Sequence, residues 1–259
     1  MAKYKIVAIP IFSDNYIWCL HNNSRAIIVD PGDAGPVLAF LSAHNLELDS
    51  ILITHRHNDH IGGVAELMDS FPKVQLFGCG YAKYQDNQEL RLNIEDLNCM
   101  LINAPGHTDD HLLFLIDGKH LFCGDVLFSL GCGRVFTNDF MAAFESLHKI
   151  KQLSQDSLIY PAHEYTLSNL NFTLQVDSAK EYYTGFIDKT NMLLKTVGNS
   201  LPSTLADELS YNLFLRTDEV YVQKLLSGKT GRLINNAFEA FVALRNLRNN
   251  LNKVKRGYI

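Results

Sequence analysis

The segment Thr54-His55-Arg56-His57-Asn58-Asp59-His60 places three imidazoles and a carboxylate within six positions, directly after the apolar run Ile51-Leu52-Ile53. Such a run, bounded by a polar cluster, reads as a buried strand delivering metal ligands from its carboxyl end, a favoured place for chemistry on a rigid sheet. Neutral imidazole and carboxylate together suit zinc or a similar first-row ion, and no thiolate stands in the cluster. In locally extended chain His55 and His57 share a face. Asp59 and His60 fall where the backbone turns, because Ile61, Val64, Ala65 and Met68 carry helical spacing. Gly62-Gly63 then reads as the point where a helix comes close to the metal. One ion, or two sharing the ligands, both fit at this stage.

Three further candidates each close an apolar run. His107 follows Met100-Leu101-Ile102-Asn103-Ala104-Pro105-Gly106, Asp125 follows His120-Leu121-Phe122-Cys123-Gly124, and His163 follows Leu158-Ile159-Tyr160-Pro161-Ala162. A lone histidine or aspartate after a strand is most often a turn or capping residue. The repeated placement argues otherwise: if these strand ends meet on one sheet edge, His55, His57, His107, His163, Asp59, His60 and Asp125 form one site. Seven ligands exceed one tetrahedral ion and suit two, with a carboxylate between them.

These elements resemble the metallo-β-lactamase fold superfamily. Asp14-Asn15-Tyr16-Ile17-Trp18, Val29-Asp30-Pro31-Gly32-Asp33, Gly131-Cys132-Gly133-Arg134 and His163-Glu164-Tyr165-Thr166 narrow the likeness to glyoxalase II, the hydroxyacylglutathione hydrolases. The resemblance runs from about Asp14 to the carboxyl end. It implies an α+β fold, an αββα sandwich followed by a mainly α-helical domain, which we divide at 1–165 and 166–259. Strand-like runs at 5–9, 16–20, 26–29, 74–77, 112–116 and 121–123 fit the first part, with helices at 37–44 and 140–153. After Thr166, helices are expected at 167–183, 205–209, 220–226 and 233–251. Ser200-Leu201-Pro202-Ser203-Thr204 marks a break.

Arg245 and Arg248 lie three apart on the last expected helix and share a face. Paired guanidinium groups make a carboxylate receptor, although two solvated arginines are the plain alternative. The resemblance favours the receptor, since glyoxalase II proteins hold the glycyl carboxylate of glutathione with basic residues of this helix, commonly arginine and then lysine. Arg248 here replaces that lysine. Arg134 and Tyr165 match other glutathione-contacting positions. The chain departs from the family at Asp110, where Gly-His-Thr-x-Gly-His has its second glycine and Asp is expected to accept a left-handed turn. It departs again at Phe136, where some relatives carry tyrosine, at Leu213 within Asn212-Leu213-Phe214-Leu215-Arg216, and at Arg248-Asn249.

The resemblance implies hydrolysis of S-2-hydroxyacylglutathione, such as S-D-lactoylglutathione, to glutathione and a 2-hydroxy acid, the last step of methylglyoxal detoxification. His55, His57 and His107 hold one divalent ion in this reading, and Asp59, His60 and His163 a second. Asp125 bridges, and Asp59 and Asp125 shape the catalytic centre around a hydroxide held by the ions. Zinc is preferred, with iron and manganese open. A persulfide dioxygenase or a non-catalytic metal-binding protein of the same fold is the alternative. His111 reads as a structural hydrogen-bonding residue, His21, His44, His120 and His148 as surface or core. Cys123 and Cys132 read as packing residues, because no dedicated base accompanies them.

Composition narrows the partners. A net charge of −5 without a long basic run disfavours nucleic acid and anionic membranes. The opening Met1-Ala2-Lys3-Tyr4-Lys5 lacks the apolar core of a signal peptide, and no segment is apolar for long enough to span a bilayer. Five cysteines, irregularly spaced, argue against a disulfide framework. The expectation is a cytoplasmic monomer acting on a small glutathione thioester.

Overall fold

Short β-branched and aromatic runs pair into two sheets whose facing sides are mainly apolar. In the computed structural model, which describes residues 4–82, 84–94 and 96–256, the first sheet has the order β1 (Lys5–Ile11), β2 (Asn15–His21), β3 (Arg25–Val29), β4 (Glu47–Ile53) and β5 (Gln75–Gly78). Met1-Ala2-Lys3 lies outside the described residues. The second sheet contains β6 (Gln88–Leu92), β7 (Leu97–Asn103), β8 (Leu112–Ile116) and β9 (His120–Gly124). A small hairpin, β10 (Leu127–Phe128) and β11 (Gly131–Cys132), follows, and β12 (Leu158–Pro161) runs parallel to β9. At the other edge of β12 lies β13 (Ser203–Thr204), so the chain beyond Thr166 contributes a strand to this sheet.

The period-two rule places each residue of the second sheet. Leu101, Phe114, Ile116, Phe122 and Tyr160 join Ile17, Ile28 and Leu52 of the first sheet in one core. Their neighbours Ile102, Leu113, Leu115, Leu121, Cys123 and Ile159 face the opposite way and pack on helices. Strands covered on both sides bury every residue, as β8 does. Helices α1 (Ala34–His44), α2 (Asn58–Ile61) and α3 (Val64–Ser70) lie between strands of the first sheet, and α1 and α3 pack Val37, Leu41, Val64 and Leu67 on its core. Helix α4 (Phe140–Lys151) covers the second sheet together with α5 (Thr166–Val176), α8 (Val220–Thr230) and α9 (Ala237–Arg256). The αββα arrangement is therefore present.

Beyond α5 a single 3₁₀ turn (Lys180–Tyr183) precedes the α-helices α6 (Thr184–Thr196), α7 (Leu205–Tyr211), α8 and α9. Three sequence expectations need correction. The helix expected over 167–183 stops at Val176, because the Asp177 carboxylate accepts from Ala179 N at 3.0 Å and from the Tyr183 and Tyr221 hydroxyls at 2.9 and 2.8 Å. These bonds hold an Asx turn that competes with helix continuation. Helix α6 went unforeseen, since only Phe186 and Thr190 are buried along it and the apolar stripe is thin. The last helix starts at Ala237 and not at Leu233. Asn236 Oδ1 accepts from Glu239 N at 2.9 Å and so caps it, while Leu233 is 82% exposed.

Asn212 joins the helical region to the hairpin. Its side-chain amide, fully buried, lies 3.2 Å from the Phe128 carbonyl, 3.1 Å from that of Gly131 and 3.0 Å from Glu208 Oε2, which itself accepts from Leu130 N at 2.9 Å. Truncation strands buried acceptors, including a carboxylate. Asn212→Ala is expected to lower unfolding free energy by about 2–4 kcal/mol, read from urea denaturation with an unchanged slope. No helix among the described residues is long and apolar enough to cross a membrane.

Candidate metal centre

Strand β4 ends at Ile53, and its buried neighbours Thr54 and His55 hang over the sheet's carboxyl edge. His57 is still extended, at φ −68° and ψ 148°, and caps the one-turn helix α2, which carries Asp59 and His60. His107 follows β7, Asp125 follows β9 and His163 follows β12. All these ends meet. The atoms of His55, His57 and His107 lie within 4.8 Å of one another, as do those of Asp59, His60 and His163, and those of His55, His60 and Asp125. Asp125 stands between the groups: Oδ2 is 3.4 Å from His107 Nε2, while Oδ1 is 3.6 Å from His60 Nε2 and 3.4 Å from His163 Nε2. The structure thus brings together all seven candidate ligands.

Hydrogen bonds on the outer ring nitrogens fix which lone pairs face inward. His60 Nδ1 bonds Asp30 Oδ2 at 3.0 Å, His163 Nδ1 bonds Asp14 Oδ1 at 2.8 Å, and His107 Nδ1 bonds the Arg134 carbonyl at 2.8 Å. Thr54 Oγ1 donates to Asp30 Oδ2 at 2.6 Å, which leaves its oxygen to accept from His55 Nδ1 at 3.1 Å. Each outer nitrogen that carries its proton outward turns the Nε2 lone pair of the same ring inward, as metal-binding histidines require. His57 faces the group through Nδ1, 2.9 Å from His55 Nε2 and 3.1 Å from His107 Nε2. Asn15 Nδ2 donates to Asp59 Oδ2 at 2.9 Å and orients that carboxylate.

The residues fit a pair of cations. His60 Nε2 and Asp125 Oδ1 are buried polar atoms without hydrogen-bond partners among the described residues, a costly arrangement unless something binds them. Burial drives the pKa of His55 and His107 down, so both rings are held neutral. Burial opposes charge on His60 as well, yet the Asp125 and Asp30 carboxylates outweigh it and push its pKa up to about 9. Asp125 stays ionised despite its own burial, chiefly because of His60 and His163. Positive charge is called for between these carboxylates, and a metal ion satisfies the same demand with the rings deprotonated.

A cleft of about 740 Å³ opens over the centre, with His57, Asp59, His107, Asp125 and His163 on its floor. Arg134, Tyr165, Arg245 and Arg248 all line it. Tyr165 stacks on His163 with ring centres 4.7 Å apart and planes 9° apart. Arg134 lies over the Phe136 ring at 4.9 Å, and Phe136 stands edge-on to His57 and His107 at 5.6 and 5.3 Å. Arg245 is only 4% exposed, and its Nη1 donates to the Cys132 and Gly133 carbonyls at 2.7 and 3.3 Å. Arg248 is half-buried and donates to Ser168 Oγ at 2.8 Å and Asn169 Oδ1 at 3.2 Å.

The residues missed by sequence reasoning are those that orient ligands: Asp14, Asn15, Asp30 and Thr54. Two of the quoted motifs contained the first three, but their partners are distant in sequence and only folding reveals them. The glycine at 133 has a steric cause, since a methyl group there would overlap the Asp125 carbonyl. Gly62 and Gly63 correct an expectation. A Cβ at either meets the backbone of Gly32 or of Pro31–Ala34, so they let α2 and α3 approach that loop and not the metal ligands. Asp110 likewise keeps φ outside the left-handed region and instead pairs with Arg56 at 3.3 Å. His111 behaves as expected, accepting from Asp125 N at 3.2 Å while stacked on His55. All five cysteines are buried and unpaired, and burial raises the Cys123 and Cys132 thiols, which suits packing and not nucleophilic attack.

Fold and ligand arrangement define a metallo-β-lactamase superfamily protein, and the family profile described as "Metallo-beta-lactamase superfamily" matches residues 12–76. A second profile, "Hydroxyacylglutathione hydrolase C-terminus", matches residues 164–251. The chain is 41% identical over 253 residues to the hydroxyacylglutathione hydrolase of Vibrio cholerae serotype O1, covering 95% of this chain and 98% of that one. It is also 41% identical over 252 residues to the protein of that name from Aliivibrio fischeri, covering 93% and 96%. The chain belongs to the hydroxyacylglutathione hydrolase family. Among solved structures, that of ETHE1 from Myxococcus xanthus is similar in fold, with a TM-score of 0.65 at 20% identity over 97% of this chain and 92% of that one.

Proposed function

We propose that this protein hydrolyses the thioester of an S-2-hydroxyacylglutathione, with S-D-lactoylglutathione as the representative substrate, and releases glutathione and a 2-hydroxy acid. The observation that carries the reading is Asp125 set between two groups of inward-facing ligands beneath a cleft lined by arginines. His55, His57 and His107 would hold one divalent ion and Asp59, His60 and His163 another, zinc being preferred, with Asp125 shared. Bound there, such ions make water nucleophilic near neutral pH and polarise the substrate carbonyl.

The chain's own residues supply orientation. Asp30, Asp14 and the Arg134 carbonyl keep ring protons on the outer nitrogens. The leaving group is a thiolate with a conjugate acid pKa of about 8.5, so it departs without a protein acid. We assign residues 1–165 to the metal-binding unit and 166–259 to substrate binding, and place the protein in the cytoplasm as a monomer.

Arg248 is the residue assigned to the glycyl carboxylate. Burial and the adjacent Arg245 guanidinium lower its pKa, a sign of crowded positive charge that an anion relieves. Arg245 holds the Gly131–Arg134 segment in place through Nη1, while its buried Nε has no hydrogen-bond partner among the described residues. Arg248→Ala is expected to raise KM about tenfold with kcat little changed, the pattern of lost uniform binding, and Arg248→Lys to restore part of it. The reading is tested by turnover of S-lactoylglutathione beside a β-lactam and a phosphodiester on protein of measured metal content. Selective thioester turnover is expected. Selective turnover of either other substrate would overturn it.

A further inference from the structure

A second cleft, about 530 Å³ in volume, meets the first at His57, His107 and Phe136. Its remaining walls include Arg56, Thr108, Asp109, Asp110 and Thr137. We propose that it receives the acyl half of the substrate and selects acyl groups by charge, excluding those that carry a carboxylate. The inference rests on the function proposed above.

A thioester carbonyl attacked beside His57 and His107 has two substituents leaving it in different directions. The thiol half is taken by the cleft that contains Arg248. The acyl half then has a cavity that touches the same two imidazoles, with the Phe136 ring as their common wall. Its volume exceeds what a lactoyl group needs, so size is a weak filter. Charge is the stronger one. Arg56 lies against Gly80 and pairs with Asp110 at 3.3 Å, so its charge is offset within the cleft. No ion pair among the described residues reaches the exposed Asp109. Away from the ion that His57 and His107 would hold, one guanidinium facing two carboxylates leaves the far wall of the cleft with an excess negative charge. An acyl group bearing its own carboxylate meets like charge there, whereas a neutral hydroxyacyl group does not.

The test compares kcat/KM for S-lactoylglutathione and S-succinylglutathione, which share one thiol and differ in acyl charge. The native protein is expected to favour the lactoyl ester. Asp109→Asn and Asp110→Asn are each expected to lower that preference about three- to tenfold at low salt, and the native preference to shrink as salt is added. Competitive inhibition by glutathione reads the thiol side, and its constant is expected to stay the same in both variants. An unchanged lactoyl-to-succinyl ratio in both variants would overturn the assignment. If the native protein cleaves neither ester, the parent function falls, and this subsite falls with it.

Discussion

Asp125→Ala is expected to lower thioester turnover by roughly a thousandfold or more and to deplete bound metal, beyond the ~10–100-fold typical of a residue that only orients a ligand. The expectation follows from position. Asp125 alone has one oxygen facing His107 and the other facing His60 and His163, so its loss unties both groups of ligands. Its backbone remains anchored, with N bonded to His111 and its carbonyl beneath Gly133, so the fold should survive. Metal analysis together with circular dichroism checks this. Near-native turnover with full metal content would remove Asp125 from the centre.

Asp30→Asn is the second large effect expected, although Asp30 is not among the seven ligands. Its carboxylate accepts from Thr54 N at 2.8 Å, Thr54 Oγ1 at 2.6 Å and His60 Nδ1 at 3.0 Å. Through Thr54 it sets the ring of His55, and directly it sets that of His60. An amide has one oxygen, so in either orientation its NH2 opposes a donor. The backbone is not disturbed, because Asp30 sits at φ 53°, a region asparagine tolerates well. Metal affinity or activity is expected to drop about 10–100-fold, and stability by about 1–3 kcal/mol. Competitive chelator titration beside thermal unfolding measures both. Unchanged affinity would mean that the two imidazoles hold their orientation without Asp30.

The candidate ligands were legible in the sequence because each follows an apolar run, and strands of a covered sheet present their ends along one edge. His107, Asp125 and His163 show this, being 56 residues apart at most yet within one centre. The strands were legible for the same reason, since burial on both faces writes a continuous apolar signal. What the sequence withheld depends on three-dimensional contact. Nothing local indicates that Asp14 bonds His163, or that Gly133 makes room for Asp125. Helix α6 buries too little to leave a clear stripe, and of the three bonds that hold the turn at Asp177 one comes from Tyr221, far along the chain. Arg245 was read as half of a receptor, and the structure adds that most of its bonding holds the Gly131–Arg134 segment. Its identity followed from spacing, its burial from α9 packing on the hairpin.

A two-ion centre that hydrolyses a glutathione thioester ties activity to metal stoichiometry. Protein stripped by chelator and titrated with zinc, with S-lactoylglutathione turnover followed at each addition, tests it most directly. Activity is expected to return and to reach its plateau at about two ions per chain, as two ligand groups sharing a carboxylate require. A plateau at one ion per chain, or a chain carrying two ions that leaves the thioester intact, would contradict it.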